Sequence, residues 1–144
     1  MQRDHESTSV EDTRDIAARY AAESTGGAYF VLSGPLGAGK TEFIRGFIRH
    51  FDPQARVRSP SFALVYAYTV SAWSIYHFDF YRLTHEDELI TIGYQEYIEQ
   101  PDAITLIEWG EKFPHVVPSH ARYVVIADAG AHQRRITVTD TPPW

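Results

Sequence analysis

No cysteine occurs in the 144 residues, so a disulfide framework, a thiolate metal site and a cysteine nucleophile are all excluded. Stability has to come from packing. Lysine is nearly as scarce: of 13 basic side chains only Lys40 and Lys112 are lysines, which marks Lys40 for a specific task. Positive charge is short overall, with 13 Lys and Arg against 19 Asp and Glu and a formal net charge of -6, so the whole molecule repels a phosphate backbone. An autonomous nucleic-acid binder is therefore disfavoured. No apolar run approaches the roughly 18 to 20 residues of a membrane-spanning helix, and residues 1–13 are polar and acidic, without the apolar segment of a leader peptide. A cytoplasmic protein with no membrane partner is expected.

What the chain does contain is 44% hydrophobic and 14% aromatic residues, enough for a sizeable core. A single domain over residues 1–144 is expected, with 1–8 and 140–144 as loose tails. Ser9-Val10-Glu11-Asp12 fits a capping box, and Ile16, Ala17, Tyr20 and Ala21 recur at helical spacing up to the stop at Gly26-Gly27. Ala28 to Leu32 is an unbroken apolar run, the pattern of a strand buried on both faces. From Thr41 onward, Phe43, Ile44, Phe47, Ile48 and Phe51 mark an amphipathic helix ended by Asp52-Pro53. Phe62 to Tyr68 and Ser74 to Asp79 read as a hairpin turning near Ser71-Ala72, Glu86 to Leu89 and Tyr94 to Ile98 as short helices, and Ala103 to Glu108 as a second buried strand. Tyr123 to Ala127 and Arg135 to Thr139 are strands flanking a turn at Gly130. Helix and strand alternate early and hairpins dominate later, which gives an α/β fold with a mixed, centrally parallel sheet, helices on both sides and an antiparallel edge.

The chemistry sits in Gly34-Pro35-Leu36-Gly37-Ala38-Gly39-Lys40-Thr41, a P-loop pattern placed after a buried strand and at the start of a helix. Glycines let the backbone wrap a polyphosphate with its N–H groups inward, and the helix dipole adds positive potential at the same point. Lys40 then reaches the β and γ phosphates of ATP, or the β phosphate of ADP, and the Thr41 hydroxyl offers an oxygen to Mg²⁺. Hydrolysis also needs an acid near the metal, at the carboxyl end of a neighbouring strand. Glu108 and Asp79 both end apolar runs, and either could hold Mg²⁺ while the other orients the attacking water. Lys40, Asp79 and Glu108 are thus the candidate catalytic residues.

Other constellations point elsewhere less well. The seven histidines lack metal-ligand spacing, and His77, close to Asp79, reads as a partly buried strand residue. Ser33 and Ser61 have no His and acid partners for an acyl-transfer triad. Tyr66, Tyr68, Tyr76, Phe78, Phe80 and Tyr81 read as core and sheet face rather than as a base-stacking platform. No Asn-Lys-x-Asp stretch for reading guanine is present, which favours adenine.

Four ordered motifs, Gly34 to Thr41, Ser59-Pro60-Ser61-Phe62, Tyr76-His77-Phe78-Asp79-Phe80-Tyr81-Arg82-Leu83 and Leu106-Ile107-Glu108-Trp109, resemble the TsaE family of small bacterial P-loop ATPases of tRNA threonylcarbamoyladenosine biosynthesis. The resemblance covers nearly the whole chain and implies the three-layer P-loop NTPase form of the α/β fold. It implies an ATPase of low activity alone, stimulated by TsaB-type and TsaD-type partners, whose hydrolysis resets the complex that modifies the adenosine beside the anticodon. Contact with tRNA would be indirect. By position, Thr41 and Glu108 match the family's Mg²⁺ ligands, Asp79 an acid needed for activity, and Ser59 to Phe62 a switch-like loop; Trp109 lies next to the site. The resemblance further assigns Ser9 to Thr13, with Ser9 and Thr13 at its ends, to the adenine side, and Arg134 to a nucleotide-proximal basic position. Gly34, Pro35, Leu36, Gly37, Ala38, Gly39, Lys40 and Thr41 complete the nucleotide contacts. The chain departs from the family pattern at Pro35, where an acid is usual and an N–H is lost, and at Ser61, which replaces a Thr and keeps the hydroxyl. Two other readings stand beside this one: a nucleotide-sensing adaptor without turnover, with Tyr81, Trp73 or Trp109 as interface anchors, and a small-molecule kinase, for which no lid segment is evident.

Overall fold

A computed structural model describes all 144 residues and contains one seven-stranded sheet. In chain order the elements are β1 (Gln2–Ser7), α1 (Val10–Glu23), β2 (Tyr29–Ser33), α2 (Lys40–Phe51), β3 (Val65–Val70), β4 (Trp73–Asp79), α3 (Asp87–Thr91), α4 (Tyr94–Ile98), β5 (Ile104–Glu108), β6 (Arg122–Gly130) and β7 (Gln133–Thr139). Two short 3₁₀ turns, Gly110–Lys112 and Pro114–Val116, follow β5. No helix is long and apolar enough to cross a membrane.

The strand order is β1-β7-β6-β2-β5-β4-β3. At the centre β6, β2, β5 and β4 run parallel, as expected for runs such as Tyr29–Ser33 and Ile104–Glu108 whose every residue is buried. Both edges are antiparallel, not one: β3 returns on β4 at one side, and β7 and then β1 close the other.

The first strand corrects the expectation of a loose segment at 1–8. Gln2 to Ser7 pair residue by residue with Thr139 to Arg134 of β7. The reason it escapes pattern reading is that an edge strand held by backbone pairing needs no apolar alternation: all six side chains are polar, and only His5 and Ser7 are drawn in from the surface. Asp4 accepts from the Thr137 hydroxyl at 2.7 Å, and His5 shares a 2.6 Å hydrogen bond with the Tyr20 hydroxyl. Residues 140–144 carry no regular element, although Trp144 lies edge-on against Tyr123.

A second difference concerns β3, which begins at Val65 rather than Phe62. The chain from Ser61 turns instead, with the Leu64 amide donating to the Pro60 carbonyl and Leu64 in the left-handed region at φ 70°. Phe62 is therefore exposed, its ring covered by the Arg82 guanidinium at 3.9 Å. The loop bends here because the proline restricts the residue before it and removes an amide that a strand would use.

Side chains fill both faces of the sheet. One face packs Phe30, Leu32, Leu106 and Val124 against Ile16, Tyr20, Phe43, Ile44, Phe47 and Ile48 of α1 and α2. The other packs Val31, Phe78 and Ile107 against Leu89 and Tyr94 of α3 and α4. This is the three-layer arrangement. At the start of α1 the Ser9 hydroxyl accepts from the Asp12 amide at 3.0 Å, while the Asp12 carboxylate reaches back to the amide and hydroxyl of Thr8 rather than to Ser9. The two long helices meet where α2 has Gly46: a Cβ there would lie 2.4 Å from the Arg14 carbonyl oxygen. Arg14 then pairs with Glu42 at 2.7 Å, fastening α1 to the first turn of α2.

Gly46→Ala tests this crossing. Alanine gains roughly 1 kcal/mol of helix propensity, but overpacking a backbone contact costs about 1–3 kcal/mol or more, so the variant should unfold at lower urea than the parent. An unchanged or higher midpoint would contradict the close crossing.

Candidate nucleotide-binding site

The site forms where three parallel strands stop together. Register places Leu32 of β2 and Asp79 of β4 on either side of Glu108 in β5, so the residue that opens into the glycine turn and the two acids share one sheet edge. Backbone bonds extend the junction: the Phe80 amide donates to the Glu108 carbonyl, and the Asp79 amide to Leu64 of the loop before β3. Open α/β sheets place ligands at such carboxyl ends.

After β2 the chain turns at Gly34, whose φ of +153° and whose closeness to β6 both require glycine; a Cβ would sit 2.5 Å from the Ile126 carbonyl oxygen. Pro35 fits here: its carbonyl accepts from the Ala38 amide at 3.1 Å and closes the turn without needing a proline N–H. Gly39, at φ +107°, leads into α2, and no side chain caps that helix. The first-turn amides are thereby left for a ligand, since an uncapped helix start carries unsatisfied donors and partial positive charge.

A cleft of about 460 Å³ lies against this turn, lined by Leu36, Gly37, Gly39, Lys40, Thr41, Glu42, Ser59, Ser61, Asp79, Tyr81, Glu108 and Trp109. Lys40, Thr41, Asp79 and Glu108 thus face one space, together with Ser59 and Ser61 of the loop before β3. Lys40 is buried; its ammonium donates to the Gly34 carbonyl at 2.5 Å and lies 4.1 Å from the centre of the Trp109 ring. Trp109 itself is in the left-handed region, φ 64°, which swings the indole from the end of β5 back over the lysine, where it also meets Tyr81. Burial lowers the Lys40 pKa from the usual lysine value, opposed by the charges of Glu108, Glu111 and Asp79.

The two strand-end acids are held differently. Asp79 has both oxygens engaged, Oδ1 by the Tyr81 amide at 2.9 Å and Oδ2 by the Ser59 hydroxyl at 3.1 Å. Glu108 has one, Oε2, bonded at 2.8 Å to Nε2 of His77. His77 is fully buried rather than partly so. From the sequence Ser59 is marked only as part of the switch-like loop and Tyr81 only as a core or interface residue, not as a partner of Asp79 and a lining residue, and Glu111, whose buried Oε1 has no hydrogen-bond partner, is not marked at all. Their contacts here have no spacing signal, because the loop and the 3₁₀ turn that carry them are set by tertiary packing.

A second hollow of about 350 Å³ continues past the glycine turn, lined by Ser7, Thr8, Ser9, Val10, Thr13, Gly37, Ala38, Gly39, Glu42, His132 and Arg134. Ser9, Thr13 and Arg134 therefore converge on the P-loop although Thr13 and Arg134 stand 121 positions apart in the sequence. The pairing of β1 with β7, which sets Ser7 opposite Arg134, brings them together. Arg134 donates to the Ala38 carbonyl at 3.2 Å and pairs with Asp128 at 2.8 Å, and Ser7 and Thr13 share a 2.7 Å hydroxyl contact. Ser7, Thr8 and His132 join this wall unforeseen, because the strand that presents Ser7 has no apolar signature. Pro35 faces a small adjoining hollow with Asp128 and Arg134.

Glycines that can only be glycines, an uncapped helix behind them and a lysine at its first position place this chain in the P-loop class of α/β folds. Comparison with known proteins narrows the class. A sequence profile of the family described as "Threonylcarbamoyl adenosine biosynthesis protein TsaE" matches residues 7–136, and the chain belongs to that TsaE family. Among similar curated proteins named "tRNA threonylcarbamoyladenosine biosynthesis protein TsaE", the one from Bacillus subtilis is 36% identical over 129 residues, covering 90% of this chain and 80% of the relative. The one from Haemophilus influenzae is 44% identical over 87 residues, covering 60% of this chain and 54% of the relative, so the match spans about half of that protein's length. The crystal structure of Bacillus subtilis YdiB superposes with a TM-score of 0.81 at 29% identity, over 96% of this chain and 85% of that one.

The buried acid gives a pH test. Burial raises the Asp79 carboxyl above its ordinary 3.8, and the Glu108 charge adds to the shift, while the Tyr81 amide and Ser59 hydroxyl oppose it. The folded chain then holds this proton more tightly than the unfolded one, so stability falls as pH rises through the interval above 3.8. In metal-free buffer Asp79→Asn should melt above the parent at pH 7, and the gap should close as pH falls below the ordinary carboxylate value. A lower melting temperature at pH 7, or a gap that ignores pH, would contradict the assignment.

Proposed function

We propose that the chain binds and hydrolyses ATP, with Mg²⁺, as the nucleotide-driven subunit of tRNA threonylcarbamoyladenosine biosynthesis. The observation that carries this is the meeting, in one cleft, of the glycine turn, Lys40, Thr41 and two strand-end carboxylates. The Gly34 to Thr41 backbone supports the polyphosphate, Lys40 moves from the Gly34 carbonyl to the β and γ phosphates, and Ser9, Thr13 and Arg134 take the adenosine side. The electrostatics favour a metal-bound nucleotide: three carboxylates, Asp79, Glu108 and Glu111, act on one ammonium, so a bare triphosphate meets a net negative field at the acids.

The donors fit magnesium. Thr41 and Glu108 offer only oxygen, the ligand type a small hard cation prefers. Glu108 has one oxygen left for a metal, whereas both Asp79 oxygens are already engaged, which supports Glu108 as the direct ligand and Asp79 as the group that orients water. When bound, Mg²⁺ supplies charge neutralisation at the transferring phosphoryl group. The chain's own residues orient the phosphates, hold the water and exclude solvent from the lysine by the Trp109 indole.

Activity alone is low and rises with TsaB-type and TsaD-type partners, in the cytoplasm, and tRNA is met only through them. The acidic net charge of -6 supports that division of labour, since this chain attracts no polyanion as a whole.

The experiment is phosphate release from ATP with and without both partners, in single and multiple turnover. Lys40→Ala should lower partner-stimulated turnover about 100-fold or more, the scale of removing one transition-state electrostatic contact, and Glu108→Ala should raise the Mg²⁺ concentration needed for turnover. Nucleotide binding with no phosphate release in any turnover would instead identify a sensing adaptor. Unchanged Mg²⁺-dependent turnover in Lys40→Ala would remove the site.

A further inference from the structure

Beneath the two acids the sheet has one polar residue where an apolar one would pack. Side chains alternate along β4 and β5, and the parallel register sets His77 opposite Leu106 and Asp79 opposite Glu108, so Ile75, His77 and Asp79 share a face with Ile104, Leu106 and Glu108. Ile75, Ile104 and Leu106 belong to the apolar layer under α1 and α2. His77 occupies the same layer with none of its surface exposed. Its Nδ1 has no hydrogen-bond partner at all. Burying an imidazole there with one nitrogen unsatisfied costs stability that leucine would not. The ring's single polar partner is the Glu108 carboxylate, at 2.8 Å from Nε2 to Oε2.

That contact has a directional consequence. A glutamate side chain turns about three torsions, and an unanchored carboxylate can offer either oxygen in many orientations. With Oε2 held by the His77 N–H, Glu108 is fixed from below and Oε1 is the oxygen left to the cleft. Carboxylates that ligate metals are themselves held by hydrogen bonds in this way, and loss of such a partner commonly lowers metal affinity 10- to 100-fold.

We propose that His77 is a positioning residue: it donates from Nε2 to Glu108 Oε2 and thereby aims Oε1 at the divalent cation that accompanies the nucleotide. The proposal rests on the reading of Glu108 as the metal ligand. It also accounts for a histidine at a position where the surrounding layer is aliphatic.

The test uses the full chain loaded with ADP and titrated with Mn²⁺, followed by electron paramagnetic resonance, with metal-free ADP affinity measured in parallel by calorimetry. His77→Leu keeps the bulk and removes the donor; His77→Gln can place an amide N–H near the Nε2 position; His77→Asn is too short to do so. Mn²⁺ affinity should fall about 10-fold or more in the Leu and Asn variants and return to within about threefold in Gln, with the loss confined to the metal-dependent part of binding. A merely structural role would lower melting temperature without moving Mn²⁺ affinity, and that result overturns the proposal. Glu108→Ala is run alongside. If it weakens Mn²⁺ while His77→Leu does not, the positioning role fails and the ligand assignment stands; if it leaves Mn²⁺ affinity unchanged, the ligand assignment itself fails and takes the proposal with it. Should His77→Leu not fold, the Asn and Gln pair decides, and an Asn variant that binds Mn²⁺ like the parent overturns the proposal.

Discussion

Parallel pairing of β4 on β5, in the register that sets Asp79 beside Glu108, is the constraint on which the rest of the site depends. Because β2 pairs on the other side of β5 in step, with Leu32 opposite Glu108, the glycine turn leaves the sheet at the same edge as both acids. A shift of one residue in either pairing would turn Glu108 or Asp79 to the opposite face of the sheet. The buried aliphatic and aromatic layers on the two faces prevent that shift, so the core that stabilises the chain also aligns its chemistry.

Charge explains why so small a cleft has so many protein contacts inside it. Lys40 is buried near three carboxylates and is steadied by a carbonyl and an indole face rather than by a direct ion pair. An ammonium fully paired with an acid would have to break that pair to reach a phosphate, whereas a carbonyl and a ring are exchanged at less cost. Glu42, next to Thr41, is kept out of competition by Arg14 and Arg45, which bind its carboxylate at the helix contact. The cleft therefore keeps its one mobile cation available, and its acids are arranged for a metal-bound ligand.

Much of this was legible in the residues. The P-loop spacing, the buried runs before it and before Glu108, and the amphipathic spacing of α1 and α2 each have a period or a composition that burial imposes. What could not be read has a common physical origin. The strand β1 is polar throughout because it lies at an edge and is held by backbone pairing, so Ser7 and Thr8 were missed while Ser9, Thr13 and Arg134 were named by resemblance. Phe62 opens a run that reads as a strand, yet the turn around Pro60 exposes it. Ser59, Tyr81 and Glu111 owe their places to the packing of irregular segments. His77 was visible as a residue but not as a fully buried one, since two strands distant in sequence, β4 and β5, must meet before its partner is known.

The central claim is that the Gly34 to Thr41 turn and its neighbouring acids form a cradle for a magnesium-bound nucleotide. Calorimetric titration of the intact protein with ADP, at several Mg²⁺ concentrations and without partners, addresses it most directly. The account predicts saturable binding at one site per chain that tightens as Mg²⁺ is added. Absence of any saturable binding at every Mg²⁺ concentration, by a chain shown to be folded, would contradict it.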